Sequence, residues 1–342
     1  MRNMSVFKKK AAGISAALVG IILVFVIVLD CMRPSVREAT DIVMGSPLSI
    51  SAVGCRESTL KGAILAARQD ELLLSCRIGT SEISLLNKEK NRSLSERTLD
   101  VIRACLELCD RSEGAFDIRI GEISELWDFQ SAEPALPDAE ELARRVERLK
   151  TAELELDRDS VRIKRCALDL GAVGKGLACE RIIQELKKNN ARGAVVSVGG
   201  SIGFFGKNSK GREGFSIGIR KPSRDSDEIF ARLSLKEGYA STSGNYEKSF
   251  IIDSVLYHHI LSPRTGYPVE SQFKSVTVLA QDGLLSDALS TACFALDYQK
   301  ALSLLEHYSA EAVFVDNENK VFVTEGLKGS FELLDGDFSY DG

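Results

Sequence analysis

Between an apolar run ending at Leu168 and a helical pattern opening near Lys175 stands Asp169-Leu-Gly-Ala-Val-Gly-Lys-Gly176, a turn with three glycines in eight residues. Glycine lets the main chain approach a neighbour closely. The helix start that follows offers unpaired N–H groups and a positive dipole end, which suits an anion such as a pyrophosphate. It is not a Walker A loop, because the Gly171-to-Gly174 spacing is wrong and no Ser or Thr follows Lys175. An ordinary tight strand-to-helix turn fits the same residues.

The pattern around this turn bounds the fold. Residues 36–53 read as a linker running into a strand, and Thr59–Leu74 as a helix. Ser93 with Glu96 forms a plausible capping box for a helix carrying Leu99, Ile102, Leu106 and Cys109 at helical spacing, with Gly114 as its stop. Ala115–Ile120 alternates as a strand, and Pro137-Asp138 with Glu141 opens a charged helix to Lys150. A hairpin is expected for 153–156 with 161–165, a helix for 175–188 and a buried strand for 193–200. Short strands are expected at 215–219, 229–235, 250–252 and 273–280. Helices at 284–296 and 299–308 then precede a closing hairpin, 312–315 with 321–324. This alternation is too irregular for a doubly wound parallel sheet, so the fold class is α+β, a mixed-sheet catalytic domain over residues 41–342.

The first forty residues differ in character. Lys8-Lys9-Lys10 precedes an apolar stretch from Ala11 to Leu29, long enough to span a bilayer core at about 1.5 Å per residue. Signal peptides usually have a shorter core of roughly 7–15 residues and a small-residue cleavage site. Val28-Leu29-Asp30 offers no such site, and Asp30 stands where a lipoprotein would have a small residue before Cys31. Residues 1–30 therefore read as a signal anchor or transmembrane helix, with removal as the alternative, and residues 31–40 as a linker. The basic flank predicts N-inside topology at the cytoplasmic membrane, with the catalytic domain extracytoplasmic. A net charge of −5 argues against a nucleic-acid partner. The eight cysteines contain no C-x-x-C pair, and Cys105 and Cys109 fit a buried helix face.

Two further segments carry chemistry. In Ser286-Asp-Ala-Leu-Ser-Thr291, Asp287, Ser290 and Thr291 share one helical face, and a carboxylate with hydroxyls is a hard-oxygen set suited to Mg²⁺. Simple helix capping and hydroxyl back-bonding use the same residues. Of three histidines, His307 lies in an amphipathic helix and reads as structural. His258 and His259 open Ile260-Leu-Ser-Pro-Arg-Thr-Gly266, where strand alternation lets one of the pair face a site. That imidazole could deprotonate a hydroxyl near its unperturbed pKa of about 6.5, or sit hydrogen-bonded at the surface.

Taken in order, Met44-Gly45-Ser46, Leu74-Ser75, Ser81–Ser84 with Asn87, Gly114–Asp117 with Leu126-Trp127, Asp169–Gly176, Val198–Gly200, Ile217–Ile219 with Pro222, Thr242–Gly244 with Tyr246, Pro263 with Thr265-Gly266, and Asp287 with Thr291 resemble the FAD:protein FMN transferase (ApbE) family. The resemblance runs from about Met44 to the last hairpin. It implies FAD contacts at Met44, Arg77, Ala115, Phe116, Asp117, Asp169, Lys175 and Leu261. It implies Mg²⁺ at the Ala172 carbonyl, Asp287, Ser290 and Thr291, with His259 as base and Asp287 as the catalytic carboxylate. Arg77 stands where the family usually has an aromatic residue, and Ser262 where it usually has Asp. The implied reaction is Mg²⁺-dependent transfer of FMN from FAD to a threonine or serine of a partner protein, with release of AMP. The implied acceptor is a flavoprotein subunit of a membrane redox complex. An FAD pyrophosphatase, or a non-catalytic membrane-tethered flavin-binding assembly factor, are the alternatives.

Overall fold

The computed structural model describes residues 35–127, 129 and 133–341. The expected signal anchor and Cys31 lie outside the described residues, and among those residues no helix is long and apolar enough to cross a membrane.

A nine-stranded sheet organises the molecule. Its order is β1 (Val36–Val43), β2 (Ser46–Val53), β6 (Gly193–Val198), β7 (Ser201–Gly206), β10 (Gly238–Gly244), β13 (Phe273–Ala280), β14 (Glu311–Asp316), β15 (Lys320–Val323) and β17 (Ser339–Tyr340). Every neighbouring pair is antiparallel except β15–β17. Three small sheets complete the strands: β3 (Asn91–Ser93), β5 (Ser160–Lys164) and β4 (Glu153–Leu156); β16 (Phe331–Leu333), β9 (Ile229–Leu235) and β8 (Phe215–Arg220); and the hairpin β11 (Ser249–Ile252) with β12 (Val255–His258). The helices are α1 (Glu57–Leu74), α2 (Glu82–Glu89), α3 (Glu96–Arg111), α4 (Gly121–Ser124), α5 (Ala139–Lys150), α6 (Gly174–Lys188), α7 (Gly283–Ala295), α8 (Tyr298–His307) and α9 (Glu325–Lys328).

Strand periodicity explains the layers. On β14, Ala312 and Phe314 face the helices with Ala288, Leu289 and Ala292 of α7, while Val313 and Val315 face the other way. There they meet Phe230, Ala231 and Leu233 of β9, so the small β8–β9–β16 sheet covers the opposite face of the large one. Leu48, Ile50 and Ala52 of β2 bury under Leu60, Ala63 and Ala67 of α1 and Ile182, Ile183 and Leu186 of α6. The α+β expectation stands, and the sheet is antiparallel almost throughout.

Several local expectations are corrected. Ala115–Ile120 forms no strand: Phe116 and Ile118 are buried, but the segment is a run of turns held by Ser112 Oγ on Phe116 N–H, with one parallel bridge from Ile120 to Ala167. Its alternation comes from tertiary packing without a ladder. Ser93 ends β3, and the cap of α3 is Ser95, whose hydroxyl accepts from Thr98 N–H. The reciprocal carboxylate is Glu82, which accepts from Ser95 N–H at 3.1 Å and also bonds Thr98 Oγ1, so the box is closed from α2. Residues 36–53 are a hairpin whose two-residue turn, Met44-Gly45, has φ of +53° and +63°. Both values suit the type I′ turn that matches strand twist. The strands β7 and β10 were not legible, because both are rich in Gly and Ser and β10 is buried on both faces, and the strand expected to open at His258 instead ends there as β12, with His259 in the bend that follows. All seven described cysteines are free, and Cys105 and Cys109 are buried on α3.

Helices α6 and α7 touch through glycines. A Cβ on Gly176 would lie 1.9 Å from Gly283 O, and one on Gly283 would lie 2.4 Å from Gly176 O. Gly176→Ala is therefore expected to destabilise the fold by about 3 kcal/mol or more, since the obstacle is backbone. Gly62→Ala, on α1 with nothing within 4 Å of its Cβ, should stabilise by roughly 0.5–1 kcal/mol. Urea unfolding of the two variants checks the contrast, and equal midpoints would refute the close crossing.

Candidate active site

The α6–α7 crossing brings a carboxylate to the glycine-rich turn. Asp287 is 1 % exposed, and its Oδ2 accepts from Gly176 N–H at 2.9 Å in the first turn of α6. Its Oδ1 accepts from Ser201 Oγ at 3.3 Å and faces Lys175 Nζ at 3.7 Å. The Asp287 charge is the main cause raising the Lys175 pKa above the ordinary ammonium value, against the opposing effect of burial. The hairpin turn closes over this corner: Met44 Sδ lies 3.4 Å from where a Cβ on Gly174 would stand. Gly199 has φ +54°, and a Cβ there would meet Lys175 Cδ at 3.2 Å.

The hydroxyls expected to hold a cation are tied to the α7 main chain and to β10. Ser290 Oγ donates to the main-chain Asp287 O at 2.8 Å, and Thr291 Oγ1 lies 3.4 Å from the same carbonyl. Ser243 on β10 reaches across to Ser290 Oγ at 2.8 Å and Thr291 Oγ1 at 3.2 Å. Gly176 N–H is taken by Asp287, so the Ala172 carbonyl four residues earlier accepts no hydrogen bond among the described residues. A free carbonyl, a buried carboxylate and hydroxyls form an all-oxygen donor set, which fits Mg²⁺ and lacks the thiolates and imidazoles that zinc prefers.

The two adjacent histidines separate cleanly. His258 is 5 % exposed and packs edge-on against Phe294, with Nε2 at 3.1 Å from Val269 O and Nδ1 accepting from Ile260 N–H. Both ring nitrogens are occupied, and His258 is structural. His259 places Nδ1 at 3.1 Å from Glu247 O. A carbonyl only accepts, so Nδ1 carries the proton and Nε2 keeps its lone pair. Burial first, then Lys175 and Lys248, push the His259 pKa down to about 3. The imidazole is thus neutral at physiological pH, which replaces the value near 6.5 expected for a free side chain.

A cationic rim surrounds this imidazole. Lys248, at φ +38° and exposed along much of its length, has its pKa lowered by desolvation and by the charges of Lys175 and Arg77. Lys175 and Arg77 thus both lie within electrostatic reach of Lys248. Arg77 itself is exposed. Sequence reasoning missed Lys248, and also Ser201 and Ser243 as partners of the α7 side chains.

The expected flavin contacts divide into two groups. Asp169 is a hub: Oδ2 accepts from Ser124 Oγ at 2.7 Å, and Oδ1 accepts from Gly171 N–H at 2.8 Å and from Cys76 Sγ at 3.5 Å. Burial and the Asp169 charge push the Cys76 thiol up to about 12. Ala115 is half-buried, and three residues on Ile118 O accepts from Asp169 N–H at 2.8 Å, which ties this segment to the same loop. Phe116, however, is 3 % exposed within the main core, and the Asp117 carboxylate is held by Arg119 at 2.8 Å. Their side chains are committed, so only their main chain is available to a ligand. Leu261 is likewise buried and bridges to Pro268. Ser262 keeps the turn that an Asp would make, its Oγ accepting from Arg264 N–H at 3.3 Å. A separate cleft of about 440 Å³, lined in part by Arg111, Glu113, Lys300 and His307, shares no residue with this constellation.

Comparison with known proteins identifies the family. A family model described as the ApbE family matches residues 44–314. A Klebsiella pneumoniae FAD:protein FMN transferase is 26% identical over 305 residues, covering 87% of this chain and 94% of that protein. A Treponema pallidum protein of the same name is 28% identical over 333 residues, covering 90% and 92%. The crystal structure of an ApbE protein from Thermotoga maritima superposes with a TM-score of 0.76 at 28% identity, covering 85% of this chain and 98% of its own. The apo structure of a Pseudomonas stutzeri flavinyl transferase ApbE gives 0.71 at 25% identity, covering 86% and 96%. With the family model spanning most of its length, the chain belongs to the ApbE family.

Proposed function

We propose that this chain is a Mg²⁺-dependent FAD:protein FMN transferase that moves FMN from FAD to a threonine (or serine) hydroxyl of a partner protein and releases AMP. The observation that supports the reading is the meeting of Asp287 with the Gly176 N–H and the Lys175 ammonium at the first turn of α6, preceded by an unbonded Ala172 carbonyl, with a histidine of free Nε2 that feels the Lys175 charge. Relatives of the chain carry the transferase name. The acceptor is a flavoprotein subunit of a membrane redox complex, and the enzyme works outside the cytoplasmic membrane behind its N-terminal anchor. That location rests on the sequence of residues 1–30 alone.

In this reading the diphosphate of FAD lies at the α6 N-terminus, where Lys175, Lys248 and Arg77 offset its charge. Asp287, Thr291, Ser290 and the Ala172 carbonyl would hold Mg²⁺, which would supply charge neutralisation on the diphosphate. The acceptor oxygen attacks the FMN-side phosphorus, and the bond from that phosphorus to the bridging oxygen breaks. AMP leaves with the bridging oxygen, and His259 Nε2 takes the hydroxyl proton. The Glu247 carbonyl holds the ring through Nδ1 and leaves Nε2 to act.

Two experiments test this reading. His259→Asn is expected to slow FMN transfer to a threonine-bearing peptide by about 10²–10⁴-fold, while FAD binding survives. Because the wild-type imidazole stays neutral down to about pH 3, transfer should not fall as the pH drops through 6.5. Near-normal transfer in the variant, read by peptide mass, would remove His259 from the base role. Asp287→Asn should lose Mg²⁺-dependent transfer by on the order of 10²–10³-fold or more. Asparagine keeps the buried shape, whereas Asp287→Ala would orphan Gly176 N–H and Lys175 at a cost of about 1–3 kcal/mol. Wild-type turnover in Asp287→Asn would sink the metal assignment, and free FMN in place of flavinylated peptide would favour the pyrophosphatase.

A further inference from the structure

The face of β10 that packs on α7 is polar where a sheet–helix contact would ordinarily be apolar. Ser241 and Ser243 stand two residues apart on that strand, so both point toward the helix. Ser241 is 0 % exposed and Ser243 9 %, and they meet Ser201 (1 %), Ser286 (0 %) and Ser290 (0 %). Burying five hydroxyls adds little hydrophobic stabilisation, and each must find a partner. Alanine at these places would pack without that requirement.

Counting protons shows what the hydroxyls do. Each serine or threonine has one proton to give. Ser290 gives its proton to Asp287 O at 2.8 Å, so across the 2.8 Å contact with Ser243 the donor is Ser243. The Ser243 proton is then spent, and across the 3.2 Å contact with Thr291 the donor is Thr291. This contact is shorter than the 3.4 Å alternative to Asp287 O. The Thr291 proton is thereby drawn toward β10, and both lone pairs of Thr291 Oγ1 are left unused. Ser290, by contrast, keeps one lone pair. The second serine works on the carboxylate. Ser241 Oγ donates to Ser201 Oγ at 3.0 Å, Ser201 donates to Asp287 Oδ1, and Ser286 lies 2.9 Å from Ser241.

We propose that Ser243 is a positioning residue for the metal centre: it turns the Thr291 hydroxyl so that its lone pairs face the cation, while Ser241 acts through Ser201 to aim the Asp287 carboxylate. This inference rests on the Mg²⁺ reading above and extends it to a layer of residues that do not touch the ion. It also ranks the hydroxyl ligands, with Thr291 ahead of Ser290.

The test is a Mg²⁺ titration of the FAD-loaded full chain without acceptor, followed by flavin fluorescence. Outer partners of metal ligands typically contribute about 10–100-fold in affinity, so Ser243→Ala should weaken Mg²⁺ binding by that factor. FAD affinity measured in EDTA and the urea midpoint should stay near wild type. Ser243→Thr, which restores the hydroxyl, should recover most of the loss. Mg²⁺ affinity within about twofold of wild type in Ser243→Ala would overturn the proposal, as would an equal fall of FAD affinity in EDTA, the mark of a purely structural role. If Ser243→Ala does not fold, Ser201→Ala serves instead, with the same expected weakening and the same overturning results. A wild-type chain indifferent to Mg²⁺ would overturn the underlying metal reading and this inference together. Wild-type Mg²⁺ binding with an unaffected variant would overturn this inference alone.

Discussion

The contact between Gly176 and Gly283 governs the rest of the molecule. Side chains at either position would collide with backbone, so the two glycines alone let α6 and α7 approach this closely. That approach places the Asp287 carboxylate against the first turn of α6, where it accepts the Gly176 N–H. A helix N-terminus favours negative charge, so this position stabilises the carboxylate before any ligand arrives. The same contact joins the α6 cluster with β2 and β6 to the α7 cluster with β13 and β14. Fold and chemistry therefore share one constraint.

Electrostatics at the crossing keep the neighbouring imidazole neutral. Lys175 is paired with Asp287, while Lys248 and Arg77 add positive charge close by. Such a field disfavours a protonated imidazole, and burial of His259 acts in the same direction. Burial is the larger cause, and Lys175 and Lys248 add to it in keeping the ring unprotonated. The Glu247 carbonyl selects the tautomer, so charge and hydrogen bonding act on the ring at different atoms.

The buried hydroxyls show a trade between stability and orientation. A helix packed on a sheet gains most from apolar area, and α7 does bury Ala288, Leu289, Ala292 and Phe294. Along the face toward β10 it carries Ser286 and Ser290 instead. Hydroxyl contacts are directional, whereas methyl contacts are not, and direction is what a coordination site requires.

Much was legible in the sequence because it follows from local periodicity. The amphipathic helices α1, α3 and α5, the β4–β5 hairpin and the α+β class come from apolar spacing and turn residues. Residue type and helical spacing singled out Asp287 and Thr291, and the order of the motifs around Asp169, Lys175 and His259 was carried by the resemblance to the family, while the residues alone left His258 and His259 open. Other features depended on partners far apart in the chain. β10 has no alternation because both faces are buried, and Ala115–Ile120 alternates without forming a strand. The choice between His258 and His259 was made by Val269 and Glu247, eleven and twelve residues away. The His259 pKa depended on burial and on lysines brought in by α6 and the β10–β11 turn. Sequence alone determined which chemical groups are present and which local elements carry them. Tertiary structure decided their protonation, their tautomers and their partners, because desolvation and hydrogen bonding are set by atoms that only folding brings together.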